Sequence, residues 1–192
     1  MGTVRSRRRS MLVALTAVVL VAAAGLYWFQ PWRLVTDHEV QDSLPAVSAR
    51  SIDQSEPAAV TQSGPAAVTQ SASAPAGPRV LAAGNFVSHE HDTRGTAQLV
   101  RLADGRHQLV LRDLETSDGP DLRVWLTDRE VLTGRAGWQI FDDGRSVEIA
   151  ELKGNSGNQV YDIPAGTDLA GLRSVSIWCK RFSVSFGAAA LR

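Results

Sequence analysis

The 192-residue sequence contains a single cysteine, Cys179. One thiol cannot form a disulfide within the chain, and it cannot supply the several cysteine ligands of a structural zinc or iron–sulfur site. The chain also lacks a charge imbalance, because 20 basic residues offset 20 acidic ones. A neutral chain has no electrostatic footprint for nucleic acid, so we expect no nucleic-acid partner.

Methionine is almost as scarce, since the chain has only Met1 and Met11. Both lie in the N-terminal apolar region, so His/Met ligation of haem is excluded in the rest of the chain. Haem would then need His/His or His/Cys ligation, and we do not expect it. The sequence also lacks a Ser–His–Asp set and a prominent pair of acid–base carboxylates. A conventional hydrolase or transferase is therefore not expected, and the chain is not predicted to be an ordinary enzyme.

An uncharged apolar run covers residues 11–29. At ~1.5 Å per residue, a helix of this length spans ~28 Å, about the hydrocarbon thickness of a bilayer. Arginines and no acids precede it, and the positive-inside rule then places residues 1–10 in the cytoplasm. The sequence predicts a single-pass signal-anchor helix over residues 11–30, with the lipid bilayer as its partner. A signal peptide cleaved after the small residues 22–24 is the alternative, and either one puts the remainder outside the cytoplasm.

Residues 31–78 have few aromatic side chains and are rich in Ala, Ser, Gln and Pro. The heptapeptide P-A-A-V-T-Q-S occurs twice, at residues 57–63 and 65–71. Such a composition cannot bury enough apolar surface to offset the entropy of ordering. We therefore predict a disordered linker, whose simplest role is a spacer that lifts the following domain off the membrane.

Residues 79–192 have the pattern of an all-β domain. Aromatic residues return, apolar and polar residues alternate, and turn signals recur at short intervals. The pair Asp104-Gly105 lies between two apolar runs, which predicts a hairpin whose two-residue loop places Leu102 opposite His107. No convincing amphipathic helix is found. We predict an antiparallel β-sandwich or barrel-like domain of about eight short strands.

The stretch S-V-S-I-W-C-K-R-F-S-V-S-F, residues 174–186, contains two alternating halves that are out of phase. A continuous strand cannot change phase, because a slip of one residue turns every side chain to the other face. Residues 180–181 must therefore hold a bulge or a tight turn, directly after Cys179. The pattern further predicts that Phe182 faces the core, and that Trp125 and Trp178 project from the outer face, either as a surface for a partner or sugar or beneath the second layer of a sandwich.

Cys179 is the first candidate for chemistry. A thiolate there could ligate a metal or undergo reversible oxidation, and the charges of Lys180 and Arg181 would favour that form if they lie close to the sulfur. The alternative is a small, inert residue on the inward face of its strand, since free cysteine is among the most buried residue types.

His89 and His91 form the second candidate. In an extended segment H-E-H places both imidazoles on one side, a spacing that suits a metal ion. A solvated turn between strands is the alternative. We take His91 and Cys179 as the candidate metal ligands and rank His89 third. The identity of any cofactor stays open.

Four blocks of residues 80–192 resemble the DM13 domain family. The blocks are G-N-F with H-D-T-R-G at residues 84–95, G-P-D-L-R-V-W-L at residues 119–126 and L-K-G-N-S-G-N-Q-V-Y-D-I-P at residues 152–164. The fourth, at residues 174–191, contains S-V-S-I-W-C-K-R-F. The family is a β-rich extracytoplasmic module proposed to transfer electrons, because of its characteristic cysteine and its pairing with haem-binding DOMON domains and membrane cytochromes. The resemblance implies that this role falls on Cys179, and His91 fits the family pattern whereas His89 does not.

Together these features predict a membrane-tethered, extracytoplasmic, accessory redox module that acts through Cys179 on an unknown redox partner. The alternative is a non-catalytic binding module for a cell-envelope component or a partner protein, with Cys179 merely packed. A covalent dimer through Cys179 is a third hypothesis.

Overall fold

The computed structural model describes residues 2–30, 36–47 and 77–192. Helix α1, Gly2–Phe29, includes the apolar segment Met11–Phe29, which has a mean hydropathy of 2.2 and no part buried against the rest of the chain. This helix is long and apolar enough to cross a membrane, although an N-terminal signal sequence has the same properties. The predicted repeat at residues 57–71 lies outside the described residues.

Most of residues 77–192 form strands, and the predicted all-β, barrel-like domain is confirmed. The described residues contain one sheet of nine strands in the order β1-β7-β4-β3-β2-β9-β8-β5-β6, curled into a half-barrel. Every pairing is antiparallel except the one between β1 and β7. The strands are β1 Glu39–Gln41, β2 Arg79–Ser88, β3 Arg94–Arg101, β4 His107–Glu115, β5 Leu122–Thr127, β6 Ser146–Glu151, β7 Ser156–Asp162, β8 Ser174–Cys179 and β9 Val184–Ala190.

Strand β1 comes from the stretch that the composition assigns to the linker. Glu39–Gln41 pairs in parallel with residues 156–158 of β7. The residues before it are also fixed, because the His38 amide donates to the Asn155 side-chain oxygen at 2.6 Å. Residues 36–47 therefore pack on the β domain, and residues 31–35 and 48–76 of the predicted linker lie outside the described part of the chain.

Strands β8 and β9 are buried on both faces. Alternation predicts one buried face, but Ser174, Ser176 and Ser185 are also completely buried. The second face is covered by the connection between β5 and β6, which places Phe141 against Trp178. Trp178 and Trp125 therefore do not project into solvent: their rings stack with centroids 5.2 Å apart.

The β3–β4 hairpin has a register one residue away from the predicted one. His107 lies opposite Arg101, and the Leu102 amide bonds to the Arg106 carbonyl at 2.8 Å. Gly105 adopts a left-handed conformation with φ +88°, which inserts a third residue into the loop. The predicted pairing of Leu102 with His107 is therefore wrong.

The strand directions bring four connections to one end of the sheet. Leu122, which starts β5, lies opposite Cys179, which ends β8. The connections are residues 89–93, 116–121, 152–155 and 180–183, and β1 begins there as well, opposite the start of β7. We call this the Cys179 end of the domain.

Candidate functional site

The phase break after Cys179 is a tight turn. Residues 180–183 join β8 to β9, and the Phe182 amide donates to the Cys179 carbonyl at 3.3 Å. The Lys180 amide donates to the Asp121 carbonyl at 2.9 Å, which ties the turn to the start of β5. Phe182 belongs to this turn and is 40% exposed, so the prediction that it faces the core is wrong.

The Cys179 sulfur lies in the core and is 0% exposed. Burial raises the pKa of its thiol, and the nearby negative charge of Asp121 acts in the same direction. Hydrogen bonding by the backbone of Phe182, Arg181 and Asp121 opposes this rise in pKa. The balance leaves the pKa raised, so the group is a protonated thiol at neutral pH.

The two cations next to Cys179 do not act on its sulfur. The Lys180 ammonium is 3.1 Å from a Glu148 carboxylate oxygen, and Arg181 donates to the Trp28 carbonyl at 2.5 Å. The expectation that these charges promote the thiolate does not hold, because both side chains leave the turn in other directions.

His91 is half-buried at the Cys179 end. Its ring packs on Phe186 with centroids 3.9 Å apart, and its Nε2 atom is 3.9 Å from a Glu90 carboxylate oxygen. Burial lowers the pKa of His91, against an opposing effect of the Glu90 and Asp92 charges. The imidazole is therefore neutral at neutral pH, which is the form that ligates metals.

His89 is almost completely buried, and both of its ring nitrogens are hydrogen-bonded. Nε2 is 2.9 Å from the Leu132 carbonyl and Nδ1 is 2.8 Å from the Ser185 hydroxyl. A carbonyl can only accept, so Nε2 carries the proton and Nδ1 accepts from Ser185. Ser185 accepts in turn from the Ser176 hydroxyl at 3.0 Å, which completes a buried relay. Burial also lowers the pKa of His89.

The two histidines point to opposite faces of β9. His89 contacts Ser185, whereas His91 contacts Phe186, and consecutive side chains of a strand lie on opposite faces. The chain bends at residues 89–91 after β2 ends at Ser88, so the extended geometry assumed for H-E-H does not occur. Among residues 2–30, 36–47 and 77–192 no group of three or more His, Cys, Asp or Glu side chains could hold a metal ion. Metal ligation by His91 and Cys179 stays a prediction.

A cavity of about 330 Å³ lies at the Cys179 end, which sequence reasoning did not anticipate. Residues 118–122 and 151–154 form its walls, with His38 from the segment before β1. Asp121 in the wall is held by Arg123 at 2.7 Å. The motifs G-P-D-L and L-K-G mark these two loops in the sequence, but their meeting across the sheet is not visible there.

Comparison with known proteins finds one match. The family model described as "Electron transfer DM13" matches residues 85–191. This range includes Cys179, His89, His91 and the two loops that form the cavity walls, residues 118–122 and 151–154. Helix α1 and strand β1 lie outside the match. Neither a curated protein nor a solved structure matches the chain.

Proposed function

Because the chain belongs to the DM13 electron-transfer family, we propose that its β domain is a membrane-tethered, extracytoplasmic redox module in which Cys179 is the redox group. The family supports a redox role for the domain. The apolar helix α1, which precedes the domain, supports the tether. The position of Cys179 within the family match supports its assignment.

The place of Cys179 in the family match, at the turn where β8 ends, carries its assignment, and the backbone around the thiol supports it. Three peptide groups, at Asp121, Arg181 and Phe182, favour the anionic form of a side chain that is otherwise surrounded by apolar residues. N–H donors stabilise negative charge on sulfur and so assist its oxidation.

The chemistry open to a lone thiol is reversible oxidation. With hydrogen peroxide as oxidant, two electrons pass from sulfur to the O–O bond, one oxygen atom joins the sulfur as a sulfenic acid, and one water leaves. A first reductant thiol then forms a mixed disulfide and releases water. A second reductant thiol displaces Cys179 as the thiol and leaves as the reductant's disulfide.

The oxidant must reach a sulfur that is 0% exposed, so the turn at residues 180–183 has to open. Its hydrogen bond from the Phe182 amide to the Cys179 carbonyl is long, 3.3 Å, and the Phe182 ring is exposed. Because the thiolate is the reactive form and burial raises the thiol pKa, the oxidation rate should increase as the pH rises above neutral.

The test treats the full chain in mild detergent with peroxide and a sulfenic-acid trap, followed by mass spectrometry. We expect trapped product at Cys179, restoration of the thiol by reductant, and no product in Cys179→Ala. The same reaction in urea gives the rate for a fully accessible sulfur. A native thiol that stays unmodified while the unfolded chain reacts, together with no metal by elemental analysis, would refute the assignment.

That outcome would favour the second candidate, a non-catalytic binding module for a cell-envelope component or a partner protein. The complete burial of the Cys179 sulfur and the cavity beside Asp121 favour this function. Under it, Cys179→Ala would leave binding unchanged, whereas a bulky substitution in the cavity wall, such as Asp121→Trp, would abolish it.

A further inference from the structure

The tether between α1 and the β domain is short. Helix α1 ends at Phe29, and the Thr36 hydroxyl already donates to Asp118 at 3.2 Å. Only residues 31–35 lie between Gln30 and Thr36. Whatever their conformation, this connection spans at most ~20 Å. The point at which the domain begins therefore lies within ~25 Å of the end of the helix.

The long predicted linker is not part of this tether. Strand β1 is attached to the sheet by its pairing with β7 and by Asp42, which is 2.5 Å from the Lys153 ammonium and accepts from the Val160 amide at 2.8 Å. In the sequence, residues 48–76 lie between β1 and β2. They connect two strands of one sheet, so their length does not separate the domain from the membrane.

The tether enters the domain at its Cys179 end. Thr36 bonds to Asp118, in the connection before β5, and Asp121 of the same connection accepts from the Lys180 amide of the Cys179 turn. One short loop therefore separates the point of entry from the turn at residues 180–183.

The same turn contacts the end of α1. Phe182 stacks on Phe29 with ring centroids 6.0 Å apart, and the Arg181 guanidinium lies 5.3 Å from the centre of the Trp28 ring. The last turn of α1 contains no basic residue, and Arg181 donates to the Trp28 carbonyl there. A cation at the C-terminal end of a helix is favourable, because the last carbonyls have no partner within the helix and carry the negative end of its dipole.

We propose that the Cys179 end of the β domain rests on the bilayer, with Arg181 and Phe182 in the interfacial layer around the end of α1. Aromatic rings and arginine side chains are stable at this depth, where one part of the side chain is apolar and the other is hydrated. The inference rests on the proposed membrane tether. It adds that the end of the domain that contains Cys179 faces the membrane and not the open solution.

The experiment places the full chain in phosphatidylcholine vesicles that carry a nitroxide on the headgroup. A fluorophore is attached at Ser183→Cys, in the turn, or at Ala103→Cys, an exposed position in the β3–β4 hairpin at the opposite end. Both are made with Cys179→Ala so that one thiol is labelled. We expect strong quenching at 183 and none above background at 103. Equal quenching at the two positions would overturn the proposal.

An insertion pair tests the path of the tether. A Gly/Ser insert of roughly 20 residues adds a reach of ~25 Å. Placed between Gln30 and Pro31, it should reduce the quenching at 183, whereas the same insert between Ser63 and Gly64 should leave the quenching unchanged. The reverse result would show that residues 48–76 are the spacer and would overturn the proposal.

Flotation of the vesicles separates this inference from the proposed function. A chain that does not float with the vesicles overturns the membrane tether and the orientation together. A chain that floats with an unquenched label at 183 overturns the orientation alone. Quenching at 183 with a native Cys179 thiol that resists peroxide supports the orientation and refutes only the redox role of the cysteine.

Discussion

Replacing Asn155 with alanine should detach β1 from the sheet. The Asn155 side chain is 4% exposed; it accepts from the His38 amide at 2.6 Å and donates to Asp37 and to the Thr116 carbonyl, both at 2.9 Å. A hydrogen bond contributes about 1 kcal/mol net, and one to a charged group roughly twice as much. The three bonds together predict a loss of ~3–4 kcal/mol from the free energy of unfolding.

The assay is urea unfolding of the full chain in mild detergent, with hydrogen exchange of β1 measured in parallel. Asn158→Ala is the matched control, because Asn158 bonds to the Gln41 side chain and to the Asp113 amide at exposed positions. We expect the control to lose less than ~1 kcal/mol and to keep β1 protected. Equal losses in the two variants, or unchanged exchange of β1 in Asn155→Ala, would refute the reasoning.

Three further predictions concern the buried relay. Burial lowers the pKa of His89 below its ordinary 6.5, so the unfolded chain binds more protons than the native one. The free energy of unfolding should therefore fall as the pH drops below 6.5. In unfolding curves measured across pH, His89→Gln should flatten this dependence. Ser185→Ala leaves both His89 Nδ1 and the Ser176 hydroxyl without a partner, so it should destabilise by ~1–3 kcal/mol and by more than Ser176→Ala; the opposite order in urea unfolding would count against the assigned tautomer. A Cβ atom at Gly137 would lie 2.2 Å from the Leu132 carbonyl oxygen and 2.7 Å from His89 Nε2, so Gly137→Ala should lower the thermal midpoint, with a loss of ~1–3 kcal/mol; an unchanged midpoint would mean that this loop yields easily.

Local patterns predict much of this fold because hairpins and alternating strands are local. The D-G pair correctly marks the β3–β4 turn, but it does not distinguish a two-residue loop from the three-residue loop in which Gly105 is left-handed. Strand β1 has 3 residues and a parallel partner more than a hundred positions away, so neither its composition nor its period reveals it. The phase break after Cys179 predicts the turn, since that signal depends on consecutive residues alone.

The candidate site depends on contacts between distant segments, and these set the limit of prediction. The two imidazoles of H-E-H do not lie on one side, because the chain bends after Ser88. The His89 ring contacts Ser185 and the His91 ring contacts Phe186, on opposite faces of β9. Burial of the second face of β8 requires Phe141, from a connection with no regular period. The family motifs mark both walls of the cavity, but only the folded sheet brings residues 118–122 next to residues 151–154.

The pairing of β1 with β7 also keeps the connection between α1 and the domain short. With β1 in place, the helix and the domain are joined through residues 31–35 alone, a connection of at most ~20 Å. If residues 36–47 leave the domain, with the contacts of Thr36, His38 and Asp42 lost as well as the β1 pairing, the connection extends from Gln30 to Arg79, and its upper limit rises to roughly 160 Å. Strand β7 loses β1 but stays paired with β4, and the other seven strands keep all their partners. Such a local opening would lengthen the connection between α1 and the domain about eightfold without unfolding the rest of the sheet.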